Sequence, residues 1–418
     1  MSRQIVILGA GVIGLCAAYY CARRGFDVTV VERHGAERDG TSYGNAGMIV
    51  PSHFVPLAAP GMVALGLKWM WNPASPFYVK PRLDADLIGW GMKFWRAASA
   101  KQVARAAPLI RDLALASRAG FEELSGQLDA DFGLVKKGLL MLCRSAQGWH
   151  EESLTVEKAR ALGIPAEVLD ARQTAALDPA ARMDIAGSVY FPKDCHLSPG
   201  EFMAALQARL DTLGVRFLWR TTAAGFRREN RRIRAVRLVP GGEMEADEFL
   251  VCGGAWSPEI TRELGLKIPI QAGKGYSLTL PRPRKLPQLC TILTEARVAV
   301  TPMGKTLRVG GTLELTGLND DINPVRVRGI IDSFCRYYPE FTPADFEGLQ
   351  PWRGWRPCSP DGLPYVGRTG KFQNLSLATG HAMMGLSLAP ITGKLIADLL
   401  DGEKPALDLS LLSPDRYL

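Results

Sequence analysis

The first thirty-two residues constrain the fold more than any other stretch of the chain. Gln4-Ile5-Val6-Ile7-Leu8 contains a continuous apolar run, as expected of a parallel strand buried on both faces. Gly9-Ala10-Gly11-Val12-Ile13-Gly14 follows, then a helical run to Gly25 and a second apolar strand, Val28 to Val31. Gly9 permits a tight turn, Gly11 lets backbone N–H groups approach a pyrophosphate, and Gly14 lets the helix pack closely on the strand. That helix offers its positive N-terminus to phosphate. Glu32 ends the second strand, eighteen residues after Gly14 and beside Arg33, where an acid can accept hydrogen bonds from ribose hydroxyls. Glycines alone serve many turns; strand, helix and acid together select a dinucleotide site. The pattern does not separate FAD from NAD, and an acid rather than an arginine at this place argues against NADP.

The chain has 418 residues, enough for two or three lobes with sizeable cores. It is 47% hydrophobic and 22% charged, which is a folded composition. The first strand starts by residue 4, which leaves no room for a signal peptide, and no uncharged apolar run reaches eighteen residues. The eight cysteines show no CxxC or metal-ligand spacing and read as reduced thiols, so no metal is expected. A cytoplasmic location follows as the expectation. The net charge of +8 fits ordinary surface Lys and Arg, an anionic substrate, or an anionic membrane surface. It is too dispersed for a nucleic-acid module.

Further along, Thr41-Ser42-Tyr43-Gly44-Asn45-Ala46-Gly47-Met48 is dense in small residues, as backbone close to a ligand would be. Phe54, Trp69, Trp71, Phe77, Tyr78, Trp90, Phe94 and Trp95 concentrate aromatics between residues 54 and 100. They read as helix packing, or as a lid or lipid-touching surface. Residues 101–128 have helical spacing, residues 138–143 read as a strand, and 147–177 read as helical. Ser198-Pro199-Gly200-Glu201 has the form of a capping box. A buried strand then runs into Gly253-Gly254-Ala255-Trp256, a second small-residue edge for the dinucleotide. Residues 274–316 suggest a mostly antiparallel sheet. A last helix, 386–401, follows Gly380 to Gly385 and Leu386.

Those motifs, with Ala59-Pro60-Gly61, Lys274-Gly-Tyr-Ser-Leu278, Arg308-Val-Gly-Gly311, Arg356-Pro-Cys-Ser-Pro-Asp361, Pro364-Tyr-Val-Gly-Arg368 and Thr379-Gly-His381, resemble one family nearly end to end. It is the FAD-dependent amine oxidoreductases of the D-amino acid oxidase and glycine oxidase superfamily, in particular their D-amino acid dehydrogenase branch. The resemblance implies an α/β fold: a Rossmann-type FAD-binding lobe and a substrate lobe on a mixed or antiparallel sheet. The lobes are expected to interleave, with 1–52, 185–262 and 352–418 binding FAD, and 53–184 and 263–351 binding substrate. The implied reaction takes a D-amino acid through its imine to a 2-oxo acid and ammonia, with electrons passed to a quinone-type acceptor. An oxygen-using oxidase is the alternative.

Two departures bear on the substrate. Val50-Pro51-Ser52-His53 stands where the resembling pattern has Ser-Pro-Gly-Tyr, and Gly354-Trp355-Arg356-Pro357 where it has Gly-Leu-Arg-Pro. His53 and Trp355 then shape side-chain preference, and D-proline or a hydroxylated relative becomes an alternative substrate. Binding an amino acid requires a clamp for its carboxylate, and arginine makes that clamp with two parallel charge-assisted bonds. Arg356 matches the clamp position; Arg353, three residues away on a strand, faces the opposite side. Tyr276 is expected to complete the clamp or line the pocket, and His381 either to touch the flavin ring or to be a buried, hydrogen-bonded side chain. The N-terminus of the last helix is expected at the flavin's pyrimidine edge. The aromatic stretch and the positive charge suggest peripheral contact with the inner membrane, where a quinone would be met.

Overall fold

The computed structural model describes residues 2–70 and 75–418, so Trp71 lies outside the described residues. Two large sheets organise the chain. The first has six strands in the order Tyr365–Arg368, Leu375–Thr379, Glu248–Val251, Gln4–Leu8, Asp27–Val31 and Arg216–Leu218. All its neighbours pair in parallel except the Tyr365–Arg368 edge. Ile5, Ile7, Val28 and Val30 pack on one face against the helices Val12–Arg23, Ala100–Gln127, Pro199–Thr212 and Ala389–Asp401. Val6, Leu8 and Val31 pack on the other face against Phe226, Ile233 and Val236 of a three-stranded antiparallel sheet. Burial on both faces is why these strands read as unbroken apolar runs.

The second sheet has nine strands and is mixed. Its path runs Trp352–Cys358, Gln271–Leu280, Thr306–Leu315, Val298–Met303, Cys290–Leu293, Leu139–Cys143, Gly187–Phe191 and Glu167–Asp170, with Phe77–Val79 beside Thr306–Leu315. Pairing is antiparallel in 271–316 as expected, and parallel where Cys290–Leu293 meets Leu139–Cys143. The amphipathic helix Pro324–Tyr337 covers one face with Ile330 and Phe334.

Several expectations are corrected. The lobe boundaries at 185 and 352 move, because Gly187–Phe191 and Trp352–Cys358 hydrogen-bond into the nine-stranded sheet. Helix Ala100–Gln127, expected in the substrate lobe, buries Ile110, Leu113, Phe121 and Leu124 in the core of the dinucleotide sheet. The helical stretch 147–177 is two helices, Ala146–Ala161 and Ala171–Leu177, around the strand Glu167–Asp170. Gly163 and Pro165 end the first, and an Asp170/Gln173 capping box starts the second. Ser198 stands at the N-cap of helix Pro199–Thr212 with Pro199 in the first turn, but its hydroxyl makes no capping bond. The last helix starts at Ala389, three residues after Leu386.

Candidate active site

At the first turn, Gly9 has φ +117°, and a Cβ there would lie 2.6 Å from the Cys252 carbonyl oxygen. A Cβ on Gly14 would lie 1.9 Å from the carbonyl oxygen of Gly9. Both positions therefore exclude every side chain. Gly11 is the helix N-cap and has no side chain to cover the first turn; the Val12 N–H donates to Ser42 Oγ at 3.1 Å. Glu32 accepts from the N–H groups of Ala10 (2.8 Å) and His34 (3.0 Å), which fixes its carboxylate and leaves lone pairs for a ribose. Arg33 lies over the Trp256 ring at 3.8 Å. The loop around Asn45 is tied to the other lobe: Arg308 Nη1 donates to the carbonyls of Tyr43 and Asn45, each at 2.9 Å, and Ser277 Oγ donates to that of Gly44 at 3.2 Å.

One cavity of about 1760 Å³ joins this turn to the nine-stranded sheet. It exceeds the roughly 300–1,000 Å³ of an ordinary small-molecule site, leaving room for a dinucleotide and a second small molecule. Of the residues expected to bind the cofactor, Gly9, Gly11, Val12, Ile13, Glu32, Arg33, Ser42, Asn45, Ala46, Met48, Gly253, Trp256, Gly385 and Leu386 line it. Gly14, Gly47 and Gly380 do not, and are corrected to positions behind the wall. Gly14 is spent on helix packing; side chains at Gly47 and Gly380 would run into Leu197 and Tyr365.

His53, Tyr276, Trp355, Arg356 and His381 line the same cavity. Arg356 Nη1 donates to the Thr312 carbonyl at 2.8 Å, and among the described residues no carboxylate pairs with it. Enclosure by protein pulls its pKa below the ordinary guanidinium range. Gly275 leaves the space it occupies, since a Cβ there would lie 2.0 Å from Nη1. Thr312 has φ +65°, an uncommon conformation for a β-branched residue, at the bulge between the Tyr276 and Lys274 pairings. That bulge turns its carbonyl to Arg356.

The other expected residues divide. Tyr276 donates its hydroxyl proton to Glu314 at 3.0 Å and accepts from Asn323 N–H at 3.2 Å, so that proton is not free for a carboxylate. Glu314 in turn pairs with the buried Arg326 at 2.7 Å. Tyr276 therefore belongs to the wall rather than the clamp. Trp355 is corrected by the pleat of its strand: one residue from Arg356, it faces the other way, edge-on to Trp256 at 5.4 Å, with Arg353 over its ring at 4.8 Å. It lines the cavity beside Trp256. His381 is buried, with Nε2 3.0 Å from Thr392 Oγ1, and burial lowers its pKa to about 3, which keeps the ring neutral. The cavity meets the short turn Ala382–Met384 rather than the first turn of the last helix. Arg308, Thr312, Ser52 and Asp194 were not singled out in the sequence; Arg308 and Ser52 fell within quoted stretches, Thr312 and Asp194 in none.

The aromatic stretch is divided between a buried and an exposed face. Trp90 is buried and donates to the Cys358 carbonyl at 2.8 Å, stacked on Phe94. On the outer face of the same helix, Ile88, Met92 and Trp95 are exposed at 53%, 54% and 67%. Among the described residues, no helix is long and apolar enough to cross a membrane, and no group of acids, cysteines and histidines could hold a metal.

A parallel sheet with a glycine turn, an acid at its second strand and a cavity shared with a larger mixed sheet defines a two-lobed dinucleotide-dependent oxidoreductase. Residues 4–399 match the FAD dependent oxidoreductase family, and the chain belongs to that family. A D-amino acid dehydrogenase of Bradyrhizobium diazoefficiens is 31% identical over 99% of both chains. One of Rhizorhabdus wittichii is 34% identical over 99% of this chain and all of the other. Among solved structures, glycine oxidase from Geobacillus kaustophilus matches at TM-score 0.79 and 23% identity over both full chains. L-Proline dehydrogenase from P. horikoshii matches at TM-score 0.74 and 18% identity, over all of this chain and 98% of the other. FAD is the family's cofactor, and the glycine cradle, the uncapped helix end and Glu32 fit it.

Proposed function

We propose that this chain oxidises a D-amino acid at its Cα–N bond to an imine, which water converts to a 2-oxo acid and ammonia. The carrying observation is Arg356, a cavity-facing guanidinium with no carboxylate beside it among the described residues. A half-buried cation with one backbone partner keeps donors to spare, and a substrate carboxylate offers the two parallel bonds that satisfy them. The two relatives named above, aligned over nearly their whole length, support D-amino acids as the substrate class. FAD, when bound, supplies the hydride acceptor. The protein's part is to hold the carboxylate on Arg356, to wall the site with Tyr276 and to exclude water with Trp90 and Phe94. The test is turnover of D- and L-enantiomers, D-proline included, with an artificial electron acceptor. One 2-oxo acid per acceptor pair reduced, from D-enantiomers alone, is expected; turnover of L-enantiomers only, or of none, overturns the proposal.

For the electron acceptor, the exposed Ile88, Met92 and Trp95 favour a quinone reached at a lipid surface. They form a stripe at helical spacing, and Leu67 and Leu83, nearby in the sequence, are exposed as well. Residues 62–101 carry six basic and two acidic side chains, which suits an anionic membrane at about 1 kcal/mol per cation near the surface. The substrate-reduced protein is then reoxidised faster by quinone in anionic vesicles than by air. Fast peroxide formation in air, with no gain from quinone or vesicles, makes it an oxidase instead.

A further inference from the structure

Asp194 is a fully buried carboxylate, and no ion pair relieves it among the described residues. It lies in the turn after Gly187–Phe191, and both its oxygens serve one residue. Oδ1 accepts the Ser52 N–H at 3.1 Å, and Oδ2 accepts the Ser52 hydroxyl. Ser52 Oγ is in turn 2.9 Å from His53 Nδ1. Ser52 and His53 line the cavity, and among the described residues no group bonds His53 Nε2. Asparagine at 194 would hold the Ser52 turn without the cost of burying a charge. The two polar links to the cavity, Ser52 and His53, stand where the resembling pattern has Gly and Tyr.

We infer that Asp194, Ser52 and His53 form a hydrogen-bond relay that presents His53 Nε2 as an acceptor to the substrate nitrogen. This rests on the amine-oxidation reading above. The direction of the chain follows from the ionisation of Asp194. As a carboxylate, Asp194 accepts from Ser52 O–H, Ser52 Oγ accepts from His53 Nδ1–H, and Nε2 is left with a bare lone pair. As a neutral acid, Asp194 donates to Ser52, Ser52 donates to Nδ1, and Nε2 carries the proton. The nitrogen gains positive charge as the Cα–H bond breaks, so an Nε2 lone pair backed by a buried carboxylate stabilises it, and an Nε2–H opposes it. Nε2 receives a hydrogen bond, and no bond to the protein forms or breaks.

The surrounding charges suit this. Burial raises the Asp194 pKa to about 7, against the lowering pull of Arg118, which is itself paired with Glu122. The neighbouring Cys195 and Cys290 thiols stay neutral, both pushed up by burial. Burial, aided by Arg297, lowers the His53 pKa to about 4, so the ring is neutral while Asp194 titrates; Glu152 lies near Arg297 on the same side of the cavity.

Nitrogen NMR of 15N-histidine-labelled protein tests this directly, because the chain has only five histidines and His53→Gln assigns the signal. The expected result is a bare His53 Nε2 at pH 8.5 that becomes Nε2–H towards pH 5.5, and Nε2–H throughout in Asp194→Asn. Anaerobic flavin reduction by a D-amino acid should rise with pH through a limb near neutrality. Asp194→Asn and Ser52→Ala should remove that limb and slow reduction about tenfold at pH 8.5, with FAD content and the affinity for propionate unchanged. A tautomer that ignores Asp194→Asn, or a limb that survives it, overturns the relay and leaves the proposed reaction standing. A tautomer that switches in a protein whose flavin no amino acid reduces overturns the proposed reaction, and the relay's role with it.

Discussion

Replacing Arg356 by alanine separates the clamp from every other part of the site. The guanidinium has five N–H donors, and one goes to the Thr312 carbonyl. Among the described residues the rest have no acceptor and are open to a carboxylate, and two charge-assisted bonds are worth about 1.5–3 kcal/mol each. Water replaces part of this in the variant, so the loss in transition-state binding is about 2–5 kcal/mol, or roughly 30- to 5,000-fold in kcat/KM. Arg356→Lys recovers only part, since an ammonium cannot make the fork. Gly275→Ala acts from behind: its Cβ would sit 2.0 Å from Nη1 and 2.5 Å from Cζ, so the guanidinium must move, and kcat/KM falls at least about tenfold. FAD content stays at the wild-type level in all three, because none touches the glycine turn. The assay is anaerobic flavin reduction against substrate concentration, where the loss falls mainly on the apparent dissociation constant. A kcat/KM within about threefold of wild type in Arg356→Ala refutes the clamp.

Further outcomes follow from other parts of the structure. Gly11→Val puts a side chain where a pyrophosphate must approach, and the protein purifies colourless; a yellow Gly11→Val protein whose flavin is released as FAD contradicts this. Glu314→Ala leaves the buried Arg326 without its partner and costs about 3–5 kcal/mol, read as a fall in the urea midpoint. Thr312→Gly keeps the carbonyl bound to Arg356 and relieves a left-handed β-branched residue, so stability rises by about 1 kcal/mol; a loss contradicts the strain. Met92→Asp with Trp95→Ser abolishes salt-sensitive binding to anionic vesicles and leaves turnover with a soluble acceptor unchanged.

What the sequence made legible was what is local or periodic. Gly9, Gly11, Gly14 and Glu32 fall within one strand-helix-strand unit, so their spacing alone carries their geometry. Arg356 stood in a recognisable motif on a strand whose alternation ruled Arg353 to the far side. That same alternation was not applied to Trp355, one residue away, and its ring packs against Trp256 instead. The relay was invisible because Ser52 and Asp194 are 142 residues apart and meet only through the fold. The Thr312 bulge was invisible because the extra residue appears only against a partner strand. Helix Ala100–Gln127 was read correctly as a helix and assigned to the wrong lobe, since periodicity shows that a face is buried and not what covers it.

The central claim is that this cavity holds FAD beside a D-amino acid clamped by its carboxylate. Anaerobic mixing of the purified protein with single D- and L-amino acids, followed at the flavin absorbance, measures it most directly. The account predicts that D-enantiomers bleach the flavin stoichiometrically, that L-enantiomers leave it oxidised, and that deuterium at Cα slows the bleaching. A flavin that stays oxidised with every D-amino acid, or that bleaches equally well with both enantiomers, would contradict it.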